Sequence, residues 1–490
     1  MKAVITIDPE KKVSEIDDRL YSSFIEHMGR AIYTGLYEPG HPAADEDGLR
    51  TDVIKYINDA KVTNIRYPGG NFLSGYNWED GIGPKEKRPT RPDLAWFAIE
   101  PNQFGTDEFM KFCEKSGIKP MMGVNLGTGT PQQAANLVEY CNFPGGTYYS
   151  ELRKQNGHEE PYDVKLWCLG NEMDGPWQIC GLTAYEYARK AHETAKMIKW
   201  VDPSVELVAC GSSNKEMPTF GEWEKTVLRE CYDDIDYLSL HTYIRNDDGD
   251  FKSFLAKNIE MDGFIKTVKD ICKDIKKEKN SDKKIYLSFD EWNVWYHWQN
   301  DKKESPKWIV ARPLEEDEYN LADALVVGCM MNTLINNADT VKIACLAQMV
   351  NALAALTTVP GGKAYAQTIY YPFMMASVNA RGTALKFKAE VPSYSCSINK
   401  KVPYLDVSSV LSKDGKTLTL LLVNRSLDEE MKINIKGIKG SVKKHYSMFG
   451  DLNAINTAEK AEIKPVKMQI TEEIVLPKAS WNMIQIKLDK

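Results

Sequence analysis

Along the chain, short β-prone runs, most of them continuously apolar, alternate with longer stretches in which apolar residues recur at every third and fourth position. The β-prone runs fall at residues 21–25, 63–67, 120–124, 164–169, 206–210, 236–240, 284–289 and 341–346. Runs that do not alternate predict strands buried on both faces. Helical spacing marks residues 51–60, 106–116, 131–141, 183–200, 222–230, 262–276, 319–337 and 365–378. Thr106 before Asp-Glu, Thr130 before Pro131 and Thr183 ahead of Glu186 supply helix-start signals. Eight such strand and helix units in residues 19–380 predict an α/β fold, a (β/α)8 TIM barrel with elaborated loops. A doubly wound open sheet is the rival architecture.

From residue 381 the pattern changes. Thr417-Leu-Thr-Leu-Leu-Leu-Val423, Met431-Lys-Ile-Asn-Ile435 and Met483-Ile-Gln-Ile-Lys-Leu488 are short strand-like runs, separated by turn signals such as Lys413-Asp-Gly-Lys416. With no helical stretch among them, they predict a C-terminal antiparallel β-sandwich. The apolar strand at residues 3–7 has no helix partner and is expected to join it, giving a second domain of residues 1–18 and 381–490.

Composition narrows the function classes. A formal net charge of −7 argues against nucleic acid or an anionic membrane surface as a partner. No run approaches the ~18 apolar residues of a membrane span. The ten cysteines are scattered, with no Cys-x-x-Cys pair, and several sit inside apolar runs as small hydrophobes. The start, Met1-Lys-Ala-Val-Ile-Thr-Ile-Asp8, is too short and too quickly polar for a secretory signal. Together these predict a cytoplasmic setting.

Chemistry gathers where the predicted strands end. The first runs into Glu26-His27, the second into Arg66-Tyr-Pro-Gly-Gly-Asn71 and the third into Asn125. The fourth reaches Asn171-Glu172, the sixth His241-Thr-Tyr243, the seventh Asp290-Glu291-Trp-Asn293 and the eighth Gln348. Any one of these has an ordinary explanation in a turn hydrogen bond or a solvated loop start. Seven on one face describe a polar cavity with carboxylates and aromatic walls, as a sugar site needs. Glu172 and Glu291 lead the set, because glycoside hydrolysis needs a protonated acid at the leaving oxygen and an ionised carboxylate at the anomeric carbon. His241 has no second histidine at ligand spacing, so a hydrogen-bonded imidazole is expected there rather than a metal ligand.

The longer motifs carry a resemblance. Phe24-Ile-Glu-His27, Arg66-Tyr-Pro-Gly-Gly-Asn-Phe72, Gly170-Asn-Glu-Met-Asp-Gly-Pro-Trp-Gln178, His241-Thr-Tyr243 and Asp290-Glu-Trp-Asn-Val-Trp-Tyr296 resemble the α-L-arabinofuranosidases of glycoside hydrolase family 51. The resemblance implies a retaining, exo-acting enzyme that releases terminal L-arabinofuranose from arabinan- and arabinoxylan-derived oligosaccharides. It also implies Glu172 as acid/base and Glu291 as nucleophile, no metal or organic cofactor, and a homo-oligomer, commonly a hexamer. Asn171 then donates to the sugar 2-hydroxyl, while Glu26, Asn71 and Gln348 clamp the furanose hydroxyls. Arg66 and Tyr243 are the candidates to keep Glu291 ionised, and Trp295 is a wall of the pocket. Trp96 and Trp177 offer stacking faces on the leaving-group side, with ordinary loop packing an equal reading. Glu100, Asp174 and Asp290 lie near these loops and are assigned no catalytic role. The rival functions are a retaining endo-xylanase or endo-glucanase on the same scaffold, and a non-catalytic carbohydrate-binding protein.

Overall fold

The computed structural model describes residues 1–489. Eight parallel strands close into a barrel: β1 (Ser22–Phe24), β2 (Asn64–Tyr67), β3 (Lys119–Val124), β4 (Leu166–Leu169), β5 (Glu206–Ala209), β6 (Tyr237–Ile244), β7 (Tyr286–Val294) and β8 (Val341–Leu346). Each strand pairs with its neighbours in sequence, and β8 returns to β1, which excludes the open sheet. The continuous apolarity of the strands follows from burial on two sides. Phe24, Met121, Leu166, Cys168, Val208, Ile343 and Cys345 fill the barrel interior. Ile65, Met122, Trp167, Leu169 and Leu207 face outward into the shared core under the helices. Among the described residues, no helix is long and apolar enough to cross a membrane.

Two strands run further than their apolar stretches. β6 and β7 extend to Ile244 and Val294, so His241, Tyr243, Asp290 and Glu291 lie inside strands rather than after them. Between Ser288 and Glu291, β7 carries one residue more than β6, a bulge that breaks the two-residue alternation. Leu287, Phe289 and Trp292 pack outward. The extra residue lets Asp290 and Glu291, though consecutive, both address the interior.

Helix starts obey the sequence signals with one shift. Thr130 accepts from the Gln133 N–H and Thr183 from the Glu186 N–H. Thr106, by contrast, is the first helical residue, and Glu108 reaches back to the Gly105 N–H at 2.8 Å. The helix expected from residue 365 begins only at Tyr370. Ahead of it, Leu356–Thr358 and Ala364–Ala366 form an antiparallel hairpin, because the Pro360-Gly-Gly turn reverses the chain.

The C-terminal residues form a nine-stranded sheet in which the N-terminal strand Lys2–Glu15 is included. That strand runs antiparallel to Thr383–Glu390 but parallel to Met431–Lys436, so the sheet is not antiparallel throughout. The parallel pair arises because a strand from the far end of the chain fills the gap between two C-terminal strands. Ala3, Ile5, Ile7, Leu405, Leu418, Leu420, Leu422 and Ile484 share one buried core. A face this apolar across so many neighbouring strands is buried only if the sheet curls over itself as a sandwich.

The sandwich meets the barrel on the helix Leu321–Asn336, which is buried along nearly its whole length. Leu421 and Val423 point to that helix from the strand face opposite Leu418, Leu420 and Leu422, together with Trp481 and Met483. Gly328 is required there: a Cβ would lie 2.4 Å from Cδ1 of the buried Trp481 indole. Gly328→Ala is therefore expected to cost about 1–3 kcal/mol by overpacking, despite alanine's better helix propensity. Equilibrium denaturation checks this; a variant as stable as the parent would show that the indole can move aside.

Candidate active site

Strand β4 ends at Leu169, and Gly170 turns the chain with a φ of 86°. A Cβ at Gly170 would lie 3.2 Å from Leu126 Cβ and Met173 Cγ, so the turn needs glycine. Asn171 follows, then Glu172 in the left-handed region at φ 44°. A non-glycine residue held there is a strained position of the kind found at functional sites. The Gly-Pro loop beyond carries Trp177 back over the strand end, and its indole Nε1 donates to Glu172 Oε2 at 2.7 Å.

Glu172 and Glu291 face each other across the barrel mouth. One carboxylate oxygen from each, together with a His241 ring nitrogen, lie within 4.8 Å of one another. Arg66 Nη1 donates to Glu291 Oε1 at 2.6 Å, and the Tyr243 hydroxyl donates to Oε2 at 2.8 Å. Burial and then the Glu291 charge push the Tyr243 hydroxyl far above its ordinary range, so it stays a donor. The other arm of Arg66, Nη2, donates to Asn171 Oδ1 at 2.6 Å, leaving that amide's NH2 facing Asn71. The guanidinium carbon sits 4.8 Å from the centre of the Phe24 ring.

His241 Nδ1 bonds Glu172 Oε1 at 2.8 Å and lies 3.7 Å from Glu291 Oε2. Burial opposes its protonation, but the Glu291 charge and then the contacts with Asp290 and Glu172 outweigh burial and push its pKa up to about 10. His241 is thus an imidazolium at neutral pH. The Glu172–His241–Glu291 group has the spacing of a metal site, and its members are also bonded within the protein, Glu291 to Arg66 and Tyr243 and Glu172 to His241 and Trp177.

A cavity of about 560 Å³ opens above these groups. Glu26, Gly70, Asn71, Trp96, Glu172, Tyr243, Glu291, Trp295 and Gln348 line its inner part, with Trp177 on the side of Glu172. Arg66, Asn171 and His241 stand behind that lining, almost wholly buried. Glu26 Oε1 accepts from the Phe72 N–H at 2.9 Å and from Trp96 Nε1 at 3.0 Å. Gln348 Oε1 accepts from the Glu26 N–H at 2.9 Å. Burial pushes the Glu26 carboxyl up to about 8, against the Phe72 N–H and with the Glu291 charge. Trp295 meets Tyr243 edge to face at 5.0 Å and donates to Glu315 at 2.8 Å.

Gly70 serves the carboxylates themselves. A Cβ there would stand 3.1 Å from Glu26 Oε2 and 3.3 Å from Glu291 Oε1. Gly70→Ala should displace one or both and lower kcat by at least about tenfold. Steady-state rates measured beside thermal unfolding would separate this from a folding defect; an unchanged kcat would show that the carboxylates have slack.

Three residues left without a role from the sequence occupy informative places. Asp174 accepts the Ser213 N–H at 3.1 Å, tying the loop after β4 to the loop after β5, and burial pushes it up to about 6. Glu100 bonds His27 Nδ1 at 2.8 Å and also accepts from Tyr33, bracing the aromatic layer under Phe72. Asp290 lies beneath the two glutamates, facing Arg66 and His241. Alternation along β7 could have flagged Asp290 as interior; nothing local could have shown that Glu291 shares that face. Met28, Asn214, Glu216, Arg245 and Leu353 from loops, and Gln299 from the short helix His297–Asn300, are also on the cavity wall and have no sequence signal of their own.

Comparison with known proteins gives the family. The family model described as the α-L-arabinofuranosidase 1 domain matches residues 56–259, and that of the α-L-arabinofuranosidase C-terminal domain matches residues 290–480. The chain is 50% identical to the intracellular exo-α-(1→5)-L-arabinofuranosidase 1 of Bacillus subtilis, with 99% of each chain covered. It is 43% identical to an exo-α-(1→6)-L-arabinofuranosidase of Bifidobacterium longum, covering 99% of this chain and 97% of that one. Among solved structures, a family 51 α-L-arabinofuranosidase from Bifidobacterium longum superposes with a TM-score of 0.94 at 40% identity, covering 99% of both chains. With its barrel, its sandwich and its facing glutamates, the chain belongs to the α-L-arabinofuranosidases of glycoside hydrolase family 51.

Proposed function

We propose that the chain hydrolyses terminal α-L-arabinofuranosyl groups by double displacement with retention. The carrying observation is the approach of Glu172 and Glu291, an oxygen of each lying within 4.8 Å. Retaining glycosidases hold their carboxyl groups at ~5–5.5 Å, whereas inverting ones need ~6.5–9.5 Å to admit a water. In the first step a Glu291 oxygen attacks the anomeric carbon. The glycosidic C–O bond breaks, and its electron pair leaves with the oxygen, which takes a proton from Glu172. In the second step Glu172, now a carboxylate, takes a proton from water. The water oxygen attacks the anomeric carbon, and the ester bond to Glu291 breaks.

The surroundings suit this division. Arg66 and Tyr243 occupy both oxygens of Glu291 and orient it as a nucleophile. Asn171, whose oxygen is taken by Arg66, keeps only a long 3.4 Å bond from its NH2 to Asn71 Oδ1, and turns that NH2 to the sugar 2-hydroxyl, a contact that strengthens in the transition state. Glu26, Asn71 and Gln348 clamp the remaining hydroxyls, and Trp96, tied to Glu26, closes one side of the pocket. Trp177 offers its face to the leaving sugar. A recess bounded by Trp96 and Trp295 favours removal of one terminal sugar over cleavage within a long chain.

The substrates proposed are oligosaccharides derived from arabinan or arabinoxylan. An intracellular setting fits them and fits the ten free cysteines, eight of which are buried. An aryl α-L-arabinofuranoside should be cleaved, and aryl β-D-xylopyranosides and glucopyranosides should not. Failure to release arabinose from the furanoside would refute the reading, and cleavage inside unbranched xylan would favour the endo-acting alternative. A homo-oligomer, a hexamer in the first instance, is part of the same proposal; light scattering should give about six times the 55.5 kDa chain mass.

A further inference from the structure

Asp290 has no part in the two steps above, yet it sits at the electrostatic centre of the site. It is 1% exposed. Its Oδ1 lies 3.3 Å from His241 Nε2, and its Oδ2 lies 3.6 Å from Arg66 Nε. Asp290 Oδ1, His241 Nε2 and Arg66 Nε are all buried, and none has another hydrogen-bonding partner. Three such atoms are costly when scattered. Here they converge, a carboxylate between two cations. The far sides of the same cations hold the catalytic pair, Arg66 on Glu291 and His241 on Glu172.

Resting on the proposed double displacement, we propose that Asp290 is a positioning residue for this reaction, a buried counter-charge that orients Arg66 toward Glu291 and His241 toward Glu172. Without it, two cations would face two catalytic carboxylates and neutralise them pairwise, leaving no net negative charge to hold a proton at the acid/base. With it, the cluster of Glu172, Asp290, Glu291, Arg66 and His241 carries one excess negative charge when its carboxylates are ionised. The β7 bulge makes this possible by turning two consecutive carboxylates into one interior. The remaining titratable groups facing the cluster are Tyr243 and Glu26 above it, Asp174 beside Glu172, and the thiols of Cys168, Cys210 and Cys345 around Asp290. Burial raises all three thiols, so they stay neutral and add no charge.

The test is Asp290→Asn, which keeps the shape and removes the charge. Loss of a nearby negative charge makes every proton in the cluster easier to lose. The basic limb of the kcat/KM profile should therefore move to lower pH by about one unit or more, with kcat falling more than KM changes. A residue that merely fills space would lower the amount of active enzyme and leave the limb in place, and that result would overturn the proposal. Should Asp290→Asn not fold, neutron diffraction from the unaltered enzyme at pH 8 decides. Deuterium on both His241 ring nitrogens is expected, and a bare nitrogen facing Asp290 overturns the assignment. A parent enzyme that leaves aryl α-L-arabinofuranosides intact would instead defeat the hydrolytic reading. The two failures are therefore distinct.

Discussion

Glu291→Ala should lose kcat on an aryl α-L-arabinofuranoside by about 10⁴-fold or more, because no other group can form the bond to the anomeric carbon. Burial holds the Tyr243 hydroxyl neutral, a poor nucleophile, and Asp290 is buried beside Arg66 away from the cavity lining, so neither can substitute. The fold should survive. Arg66 keeps its bond to Asn171 and its contact with Asp290, so the deletion does not strand an unpaired buried cation. Circular dichroism and thermal unfolding would establish that the loss is chemical. Activity within about tenfold of the parent would remove Glu291 from its role.

Glu172→Ala should split substrates by leaving group. Removing the acid should slow cleavage of arabino-oligosaccharides by about 10²–10⁴-fold, the usual worth of general acid catalysis. An aryl arabinofuranoside with an acidic phenol needs little protonation and should still form the glycosyl-enzyme, seen as a burst of phenol. Hydrolysis of that intermediate should then limit turnover, since Glu172 also activates the water. Azide needs no base and should restore turnover, giving an arabinofuranosyl azide of retained configuration. An inverted azide would contradict the double displacement. Equal losses on all substrates would take the acid role away from Glu172. His241 and Trp177, each bonded to Glu172 in the parent, lose that partner in the variant, so a conservative Glu172→Gln control guards against collapse of the loop.

Much of the architecture was legible because its causes are local or periodic. Continuous apolar runs mark strands with two buried faces, and the return of helical spacing after each one marks the crossover, so the barrel could be read from its period. Glu172 was legible for the same reason. A glycine and two polar residues directly after Leu166-Trp-Cys-Leu169 mark the end of an interior strand, where barrel sites gather. Trp96 and Trp177 were undecided between packing and stacking; the fold put their indole nitrogens on Glu26 and Glu172.

What the pattern could not reach depends on register and on contacts between distant segments. The bulge in β7 exists only relative to β6 and β8, so the common orientation of Asp290 and Glu291 has no local signature. The parallel pairing of Lys2–Glu15 with Met431–Lys436 joins opposite ends of the chain. The need for glycine at residue 328 is set by Trp481, and at residue 70 by Glu26 and Glu291. Sequence order was enough to show which polar residues follow the apolar runs, hence the family and the chemistry available, although β6 and β7 run on past theirs. Only the closed barrel brought two carboxylates within 4.8 Å, with a guanidinium, an imidazolium and a third carboxylate beneath them. Charge interactions depend on distance in space, and apolar periodicity along a chain carries no record of it.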